Sequence, residues 1–340
     1  MTDATLPPTD LERALQEGLE ARASLLEELH AERTDCYRLL HGPAEGCPGL
    51  TIDRYGPVLL VQTWREPISP DALDSLARIA GRVVGAELHA VWNHRGKGPR
   101  ESFSDWHAIE PIEPATGHEI GLAFDVRPRH RGLDPLLFLD LRVARRRVRS
   151  EAAGKRVLNL FAYTCGVGIA AAAGGAEKVV NVDFASSSLT IGRENARRNG
   201  VESVFETWQD DVLPTARQLA GLALTDRRRR PRPRPSIEPQ TFDLVVLDPP
   251  SWATGPYGAV DVVRDYPGVF KPALLATEPG GAMIVTNHSP RVTLEDWLGI
   301  LERAAVKAGR PLREIEVLPP ESDFPSFDDR PPLKVAFLTI

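Results

Sequence analysis

One stretch constrains the fold more than any other: residues 154–183, GKRVLNLFAYTCGVGIAAAAGGAEKVVNVD. Val157-Leu158-Asn159-Leu160 is a short apolar run of strand type. It breaks into the small residues Thr164-Cys165-Gly166-Val167-Gly168. An alanine-rich helix follows, Gly174-Gly175 stops it, and a second apolar run, 179–182, ends on Asp183. This order is a βαβ unit, the connection that parallel strands require. Glycines have no Cβ, so two of them let the loop backbone come close to a ligand. A carboxylate at the tip of the next strand can accept hydrogen bonds from two ribose hydroxyls.

Two cofactor classes use this layout. A dinucleotide site calls for G-x-G-x-x-G, which admits a pyrophosphate to a helix N-terminus. Here the pattern is Gly166-x-Gly168-x-x-Ala171, so the loop alone does not decide. An S-adenosylmethionine (SAM) site needs the same bend and ribose carboxylate without a phosphate cradle. Asp210-Asp211 and Asp248-Pro249-Pro250 downstream favour SAM. The plain alternative is an ordinary α/β turn with no ligand.

The rest of the chain supports a catalytic α/β domain preceded by a smaller one. At 340 residues, a length of about 150 per domain suggests two domains. Residues 10–33 carry leucines at helical spacing between charges and predict an amphipathic helix, so residues 1–34 form an N-terminal helical segment. The polar face is acid-rich, which argues against a membrane-surface role. Short apolar runs and turns between residues 35 and 127 predict a small α+β domain. It includes strands near 37–40, 50–53, 58–64 and 88–91, a helix over 70–85, a basic loop at 93–100 and a strand pair around 109–124.

From 128 to 340, strands alternate with helices, as in a doubly wound, Rossmann-like sheet. The helix after Asp183 has Ser186 and Ser187 available to cap it, and Gly200 stops it. The wholly apolar run 242–247 suits a central parallel strand. A helix is predicted over 260–277, a turn at Pro279-Gly280-Gly281, and a strand over 282–286. Residues 225–240 form an Arg/Pro-rich insertion without apolar periodicity, expected to be a mobile surface loop. No apolar run approaches the roughly 20 residues of a membrane span. Cys36, Cys47 and Cys165 share neither a metal-ligand nor a disulfide spacing, so no metal site and a cytosolic location are expected.

In a doubly wound sheet the ligand sits at the carboxyl ends of the strands, where strand order reverses. Asn159, Asp183, Asp211 and Asp248 each lie at or just past such an end. Asp183 suits a ribose, with Phe184 beside it. Asp211 suits either the exocyclic amine of an adenine or the N-cap of the next helix. The loop through Phe161, Tyr163, Thr164, Gly166 and Gly168 would lie against the methionine part. Asp248-Pro249-Pro250-Ser251-Trp252 is the sharpest signal. Two prolines remove N–H donors after a central strand, leaving carbonyls and a carboxylate as acceptors for the amino group of a base. Trp252 could stack on that base.

The net charge of −6 argues mildly against wholesale nucleic-acid binding, but a local basic patch suffices for phosphate contacts. RVARRRVR at 142–149 and RRRRPRPR at 227–234 are two such runs. The first is either a solvated helix surface or a basic ridge at the mouth of the site, with Arg142 among its substrate contacts.

Several stretches resemble the class I SAM-dependent methyltransferases. Within that class they are similar to the bacterial large-subunit ribosomal RNA methyltransferases of the RlmI/RlmK type. They are Tyr37-Arg38-Leu39 with the run from Gly49 to Tyr55, Phe138-Leu139-Asp140-x-Arg142, Asn159-Leu160-Phe161-x-Tyr163-Thr164, Asp183, Asp211 and Asp248-Pro249-Pro250. The resemblance runs from about residue 35 to the end. It implies a class I methyltransferase fold, SAM as cofactor, and a small α+β domain that helps to hold RNA. Many relatives carry a PUA RNA-binding module before that domain, for which the stretch ahead of residue 35 is too short.

The departures are informative. Cytosine-C5 members place a nucleophilic cysteine in a Ser-Cys-Ser-like stretch after the fifth strand. Here that stretch reads Thr286-Asn287-His288-Ser289, with no cysteine, and Cys165 reads as a packing residue. Asn287 resembles the guanine-N7 branch instead, where ring N7 is already nucleophilic and needs mainly alignment. His288 either assists or bonds the backbone. The family's glycine-and-threonine lead-in to Phe138 is replaced by Leu133-Asp134-Pro135-Leu136-Leu137. The resulting expectation is a SAM-dependent methyltransferase acting on a base in RNA, 23S ribosomal RNA first. Asp248, Pro249, Pro250 and Asn287 would carry catalysis, Asp248 would also line the cofactor together with Asn159, Asp183 and Asp211, and Arg142, Trp252 and His288 would touch substrate. The alternatives are a small-molecule or protein methyltransferase and a non-catalytic RNA-binding relative.

Overall fold

Leu11, Leu15 and Leu19 recur along one face of α1 (Pro8–Ala21), and all three are buried. They belong to a computed structural model that describes every residue except 1–7, 97–105, 109–114, 129–133, 225–235, 256–257, 327 and 329. The chain divides into two units, Met1–Arg142 with Glu321–Asp329, and Val143–Pro320 with Arg330–Ile340.

In the first unit, the single helix expected over 10–33 is two, α1 and α2 (Ala23–Ala31). The break falls at Arg22, whose guanidinium turns inward onto Gly18 O at 3.0 Å and Glu45 at 2.7 Å. The next elements are β1 (Cys36–Leu40), β2 (Leu50–Tyr55), β3 (Val58–Thr63), α3 (Pro70–Val84), β4 (His89–His94) and β5 (Trp106–Ala108). They form a sheet in the order β1-β2-β3-β4-β5, antiparallel except for β3 and β4. Helix α3 makes that parallel crossover. Ser69 Oγ caps it on Ala72 N, and Gly85 at φ +66° ends it. Leucines of α1, α2 and α3 share one core with Tyr37, Leu39, Ile52, Leu59, Val61 and Trp92 of the strands. β6 (Thr116–Glu119) and β7 (Leu122–Asp125) form a separate hairpin. Part of the basic loop expected at 93–100 and residues 109–114 of the expected strand pair lie outside the described residues.

Arg142 closes this unit, and the structure corrects its expected role. Its side chain is fully buried, with Nη1 on Cys36 O at 3.0 Å and Nη2 on Asp323 Oδ1 at 2.5 Å. The other Asp323 oxygen accepts from Arg38 N at 3.0 Å. Asp323 is itself fully buried, and Phe324 lies under the Arg38 guanidinium at 4.5 Å. A guanidinium enclosed with its carboxylate is a structural ion pair and faces no substrate.

The second unit begins in α4 (Arg142–Glu151). Three of its five arginines are drawn onto the protein itself. Arg145 is buried like Arg142, and Arg147 lies over Phe337 and pairs with Glu316 at 2.8 Å. The chain then runs through β8 (Arg156–Leu160), α5 (Gly166–Ala173), β9 (Lys178–Asp183), α6 (Ser186–Arg198), β10 (Phe205–Gln209), α7 (Val212–Leu219) and β11 (Phe242–Leu247). A hairpin of β12 (Trp252–Gly255) and β13 (Gly258–Asp261) follows. The last elements are α8 (Tyr266–Leu275), β14 (Thr277–Asn287), α9 (Leu294–Lys307), β15 (Glu314–Leu318) and β16 (Lys334–Thr339). The strand order is β10-β9-β8-β11-β14-β16-β15, with β10 through β14 parallel and β16 antiparallel to both neighbours. One cluster joins Leu158, Leu160, Val180, Val182, Val245, Leu247, Met283 and Val285 to α7, α8 and α9.

Three local expectations change. The helix expected from 260 starts at Tyr266, because Asp265 caps it on Gly268 N at 3.0 Å and Pro267 opens its first turn. Residues 252–261 are the β12–β13 hairpin instead. β14 begins at Thr277 and carries Gly280 at φ +84° within it, where a turn was expected. No serine side chain caps α6; its start is tied by Ala185 N to Asp183 Oδ1 at 2.9 Å. Residues 225–235 of the insertion lie outside the described residues.

Candidate active site

Strand order reverses between β8 and β11: β9 and β10 extend the sheet on one side, and β14 on the other. The loops leaving these two adjacent strands therefore flank a crevice, the usual ligand position in an open α/β sheet. On the β8 side the loop is 161–165. Phe161, Tyr163 and Cys165 adopt φ of 62°, 49° and 63°. Each non-glycine residue held there costs about 1–3 kcal/mol. The sequence placed the two glycines in this loop, letting its backbone approach a ligand, and the structure corrects this placement. Gly166 and Gly168 are helical residues of α5. A Cβ on Gly168 would collide with the Asn181 side chain, so that glycine serves helix–strand packing.

Asp183 holds the strained loop in place. Its Oδ2 accepts from Tyr163 N at 2.9 Å and its Oδ1 from Ala185 N at 2.9 Å. The loop is further tied by Ala162 N to Val182 O and by Cys165 N to Ala162 O. Asp183 is 6% exposed. Burial pushes its pKa above the ordinary carboxylate value, against the backbone N–H groups that hold it down. Phe184, the next residue, is largely exposed.

Asn159 and Asp211 do other work as well. Asn159 is buried inside the sheet, with Nδ2 on Asn181 Oδ1 at 2.9 Å; Asn181 Nδ2 in turn bonds Glu206 O at 3.1 Å. It is one rung of an amide ladder across β8, β9 and β10. Asp211 caps α7 through Leu213 N at 3.0 Å, and Asp210 Oδ1 accepts from Asp211 N at 2.8 Å. Of the two readings of Asp211, the N-cap is thus realised.

On the β11 side, Asp248 follows the strand directly. Its Oδ1 accepts from Thr286 Oγ1 and from His288 Nε2, the latter at 2.7 Å. The imidazole therefore meets a carboxylate, where the sequence left backbone bonding open. Pro249 is buried, while Pro250 and Trp252 are exposed. Asn287 is fully buried; its Oδ1 accepts from Ser289 N at 2.8 Å, and its Nδ2 lacks a hydrogen-bond partner. Tyr266 Oη donates to Thr286 O at 2.8 Å. Asp248, Thr286, Asn287 and His288 thus meet at the carboxyl ends of β11 and β14. Arg142 is not among them.

Thr286 was assigned no role from the sequence, and neither Tyr266 nor Lys334 was singled out. Lys334 had a legible signal, a lone cation in the apolar run Leu333-Lys334-Val335. The Tyr266–Thr286 link depends on tertiary contact and had none. The three thiols are all described. Burial raises the pKa of Cys36 and Cys165 well above the ordinary thiol value and that of Cys47 more modestly. A poised nucleophile requires the opposite shift.

A SAM molecule fits this donor set. A carboxylate at the tip of β9 offers acceptors of the kind a ribose needs, and Phe184 beside it presents an exposed apolar ring of the kind that can cover an adenine. A sequence model of the S-adenosylmethionine-dependent methyltransferases matches residues 37–210, and the chain belongs to that family. It uses SAM as methyl donor.

The chain is 30% identical over 323 residues to "Ribosomal RNA large subunit methyltransferase I" of Aeromonas salmonicida, covering 92% of this chain and 75% of that one. It is 28% identical over 324 residues to the protein of that name from Klebsiella pneumoniae, covering 92% and 74%. Among solved structures, a methyltransferase complexed with S-adenosylhomocysteine shares the fold at a TM-score of 0.78 and 24% identity. That match covers 99% of this chain and 83% of the other. A SAM-dependent methyltransferase from Streptococcus mutans matches at 0.76 and 24%, covering 99% and 82%. Among the described residues no helix is long and apolar enough to cross a membrane.

Proposed function

We propose that this enzyme methylates a base in RNA, with 23S ribosomal RNA as the substrate and guanine N7 favoured over cytosine C5. The names of the ribosomal RNA relatives support an RNA substrate. The observation that carries the choice of atom is the residue set after β14. Thr286 and His288 both donate to Asp248, and no thiol stands there. Covalent addition to C6 of a cytosine needs a thiolate, and all three thiols of this chain are shifted the wrong way.

Bound SAM supplies an electrophilic methyl on its sulfonium. Around it, Phe161 to Gly168 would line the methionine part, Asp183 would accept from the ribose hydroxyls, and Asp211 would accept from the adenine amine. Asp248 Oδ2 and the Pro249 carbonyl would accept from the amino edge of the target base, with Trp252 stacked on its face and Asn287 close by. The rate gain would come mainly from holding ring N7 in line with the methyl. In this reading residues 35–127 form an accessory RNA-holding domain, residues 128–340 the methyltransferase domain, and the site of action is the cytoplasm.

Mass-spectrometric nucleoside analysis of 23S ribosomal RNA, from cells with and without this protein, tests the reading. Loss of 7-methylguanosine is expected. Loss of 5-methylcytidine would overturn the argument from the absent thiolate. Unchanged RNA would favour a small-molecule substrate.

A further inference from the structure

Lys334 opens β16 and is the register partner of Asn287, the last residue of β14. Its side chain is 8% exposed. Nζ donates to Ser289 O at 2.9 Å and to Pro332 O at 3.3 Å. Among the described residues no carboxylate comes within ion-pair distance, and burial lowers its pKa. An ammonium held only by carbonyls keeps most of its desolvation penalty, and an apolar side chain of similar volume is ordinarily the more stable choice there.

The two carbonyls show what the charge holds. Ser289 is clamped at both backbone groups, its N–H by Asn287 Oδ1 at 2.8 Å and its carbonyl by Lys334. Ser289 Oγ also accepts from Arg291 N at 3.2 Å. His288 is the residue between the Asn287 hook and this clamped peptide, and its ring reaches Asp248 at 2.7 Å. Thr286, on the other side, is held by Tyr266 through its carbonyl and reaches the same Asp248 oxygen. The backbone flanking the imidazole is therefore pinned from both directions, and of the described side chains that hold it, Asn287, Tyr266 and Lys334, the lysine alone is charged.

We infer that Lys334 is a positioning residue of the methyl-transfer site, holding the turn after β14 so that His288 stays on Asp248. The inference rests on the RNA-methyltransferase reading for its kinetic test. Its structural consequence can be measured without any substrate. The SAM loop is held by Asp183 and β9, so it does not depend on this clamp.

The test compares wild type, Lys334→Met and Lys334→Arg as full chains. The probes are SAM by calorimetry, tritiated-methyl transfer to 23S ribosomal RNA from a strain lacking the gene, and side-chain 15N spectra with His288 assigned through His288→Gln. K334M is expected to keep SAM affinity and KM within about threefold, lose kcat by about tenfold or more, and shift the His288 signal toward a freely averaging imidazole. K334R is expected to restore both readouts, because a guanidinium can reach the same carbonyls. Should K334M fail to fold, K334Q against K334R gives the same comparison. A K334M enzyme with wild-type kcat and an unmoved His288 signal overturns the inference, as does a parallel loss of SAM binding, which would mean general damage. If wild type transfers no methyl to RNA, the functional reading fails while the His288 comparison still decides the role of Lys334.

Discussion

His288 Nε2 lies 2.7 Å from Asp248 Oδ1, joining the turn after β14 to the acidic residue after β11. Thr286 Oγ1 donates to the same oxygen. One carboxylate oxygen is thus committed to the protein; in the proposed reading the other meets the target base. Asp248→Asn removes the charge that organises both donors. Methyl transfer is expected to fall by about a hundredfold, the size seen when one preorganised polar group is lost. SAM affinity should stay within a few-fold, measured by calorimetry beside kcat, and a matching loss of affinity would place Asp248 in the cofactor site.

Asp183→Ala strips the strained loop of its bond from Tyr163 N and the start of α6 of its bond from Ala185 N, each charge-assisted and worth about 1.5–3 kcal/mol. SAM binding should weaken by at least about tenfold, and the melting temperature should drop with it. Intact SAM affinity in a folded Asp183→Ala protein would remove this carboxylate from the cofactor site.

The same residue sets a pH dependence. The folded protein raises the Asp183 pKa above its unfolded value. It therefore holds this proton more tightly than the unfolded chain does. Below the ordinary carboxylate range, both states are protonated and the contribution is fully present. It is lost as pH rises from about 4 through the raised value. Asp183→Asn cannot titrate, so the stability of wild type relative to this variant should decline over that window. Denaturant melts at stepped pH would show it, and a flat difference would contradict it.

Tyr163 offers a cleaner test of loop strain. At φ 49° a glycine is more comfortable than any residue with a Cβ. Tyr163→Gly should be more stable than Tyr163→Ala by about 1 kcal/mol, the reverse of the usual helix and strand ranking. Equal stabilities would mean that the loop relaxes in the variants.

Arg142→Ala leaves Asp323 buried without its partner and should destabilise by about 3–5 kcal/mol. Replacing both, as Arg142→Met with Asp323→Leu, should recover much of that loss. The salt dependence of RNA binding should not change in a folded double variant. A shallower salt slope would return Arg142 to the phosphate contacts the sequence first suggested.

The sheet and its crevice were legible because β8, β9, β11 and β14 are short apolar runs ended by polar residues. That pattern survives any side-chain detail. The places of Asp183 and Asp248 at strand ends were legible for the same reason. Arg142 and Asn159 were not, since a polar residue in a motif reads alike whether it faces a ligand or a buried partner. Asp323 lies 181 residues from Arg142, and no local pattern links them. Gly166 and Gly168 read as loop residues because glycine permits close backbone approach, yet both are helical. Positive φ falls instead on Phe161, Tyr163 and Cys165, with Asp183 holding the Tyr163 N–H.

The distance along the chain between Arg142 and Asp323 also bears on biogenesis. At about 5–20 residues per second, a nascent chain that has just made Arg142 waits some tens of seconds for its counter-ion. The N-terminal unit emerges from the ribosome first yet cannot complete its interior until nearly the whole polypeptide exists. A chain stalled or cleaved ahead of Glu321 would keep an uncompensated guanidinium at the heart of that unit, an internal mark by which unfinished copies differ from finished ones.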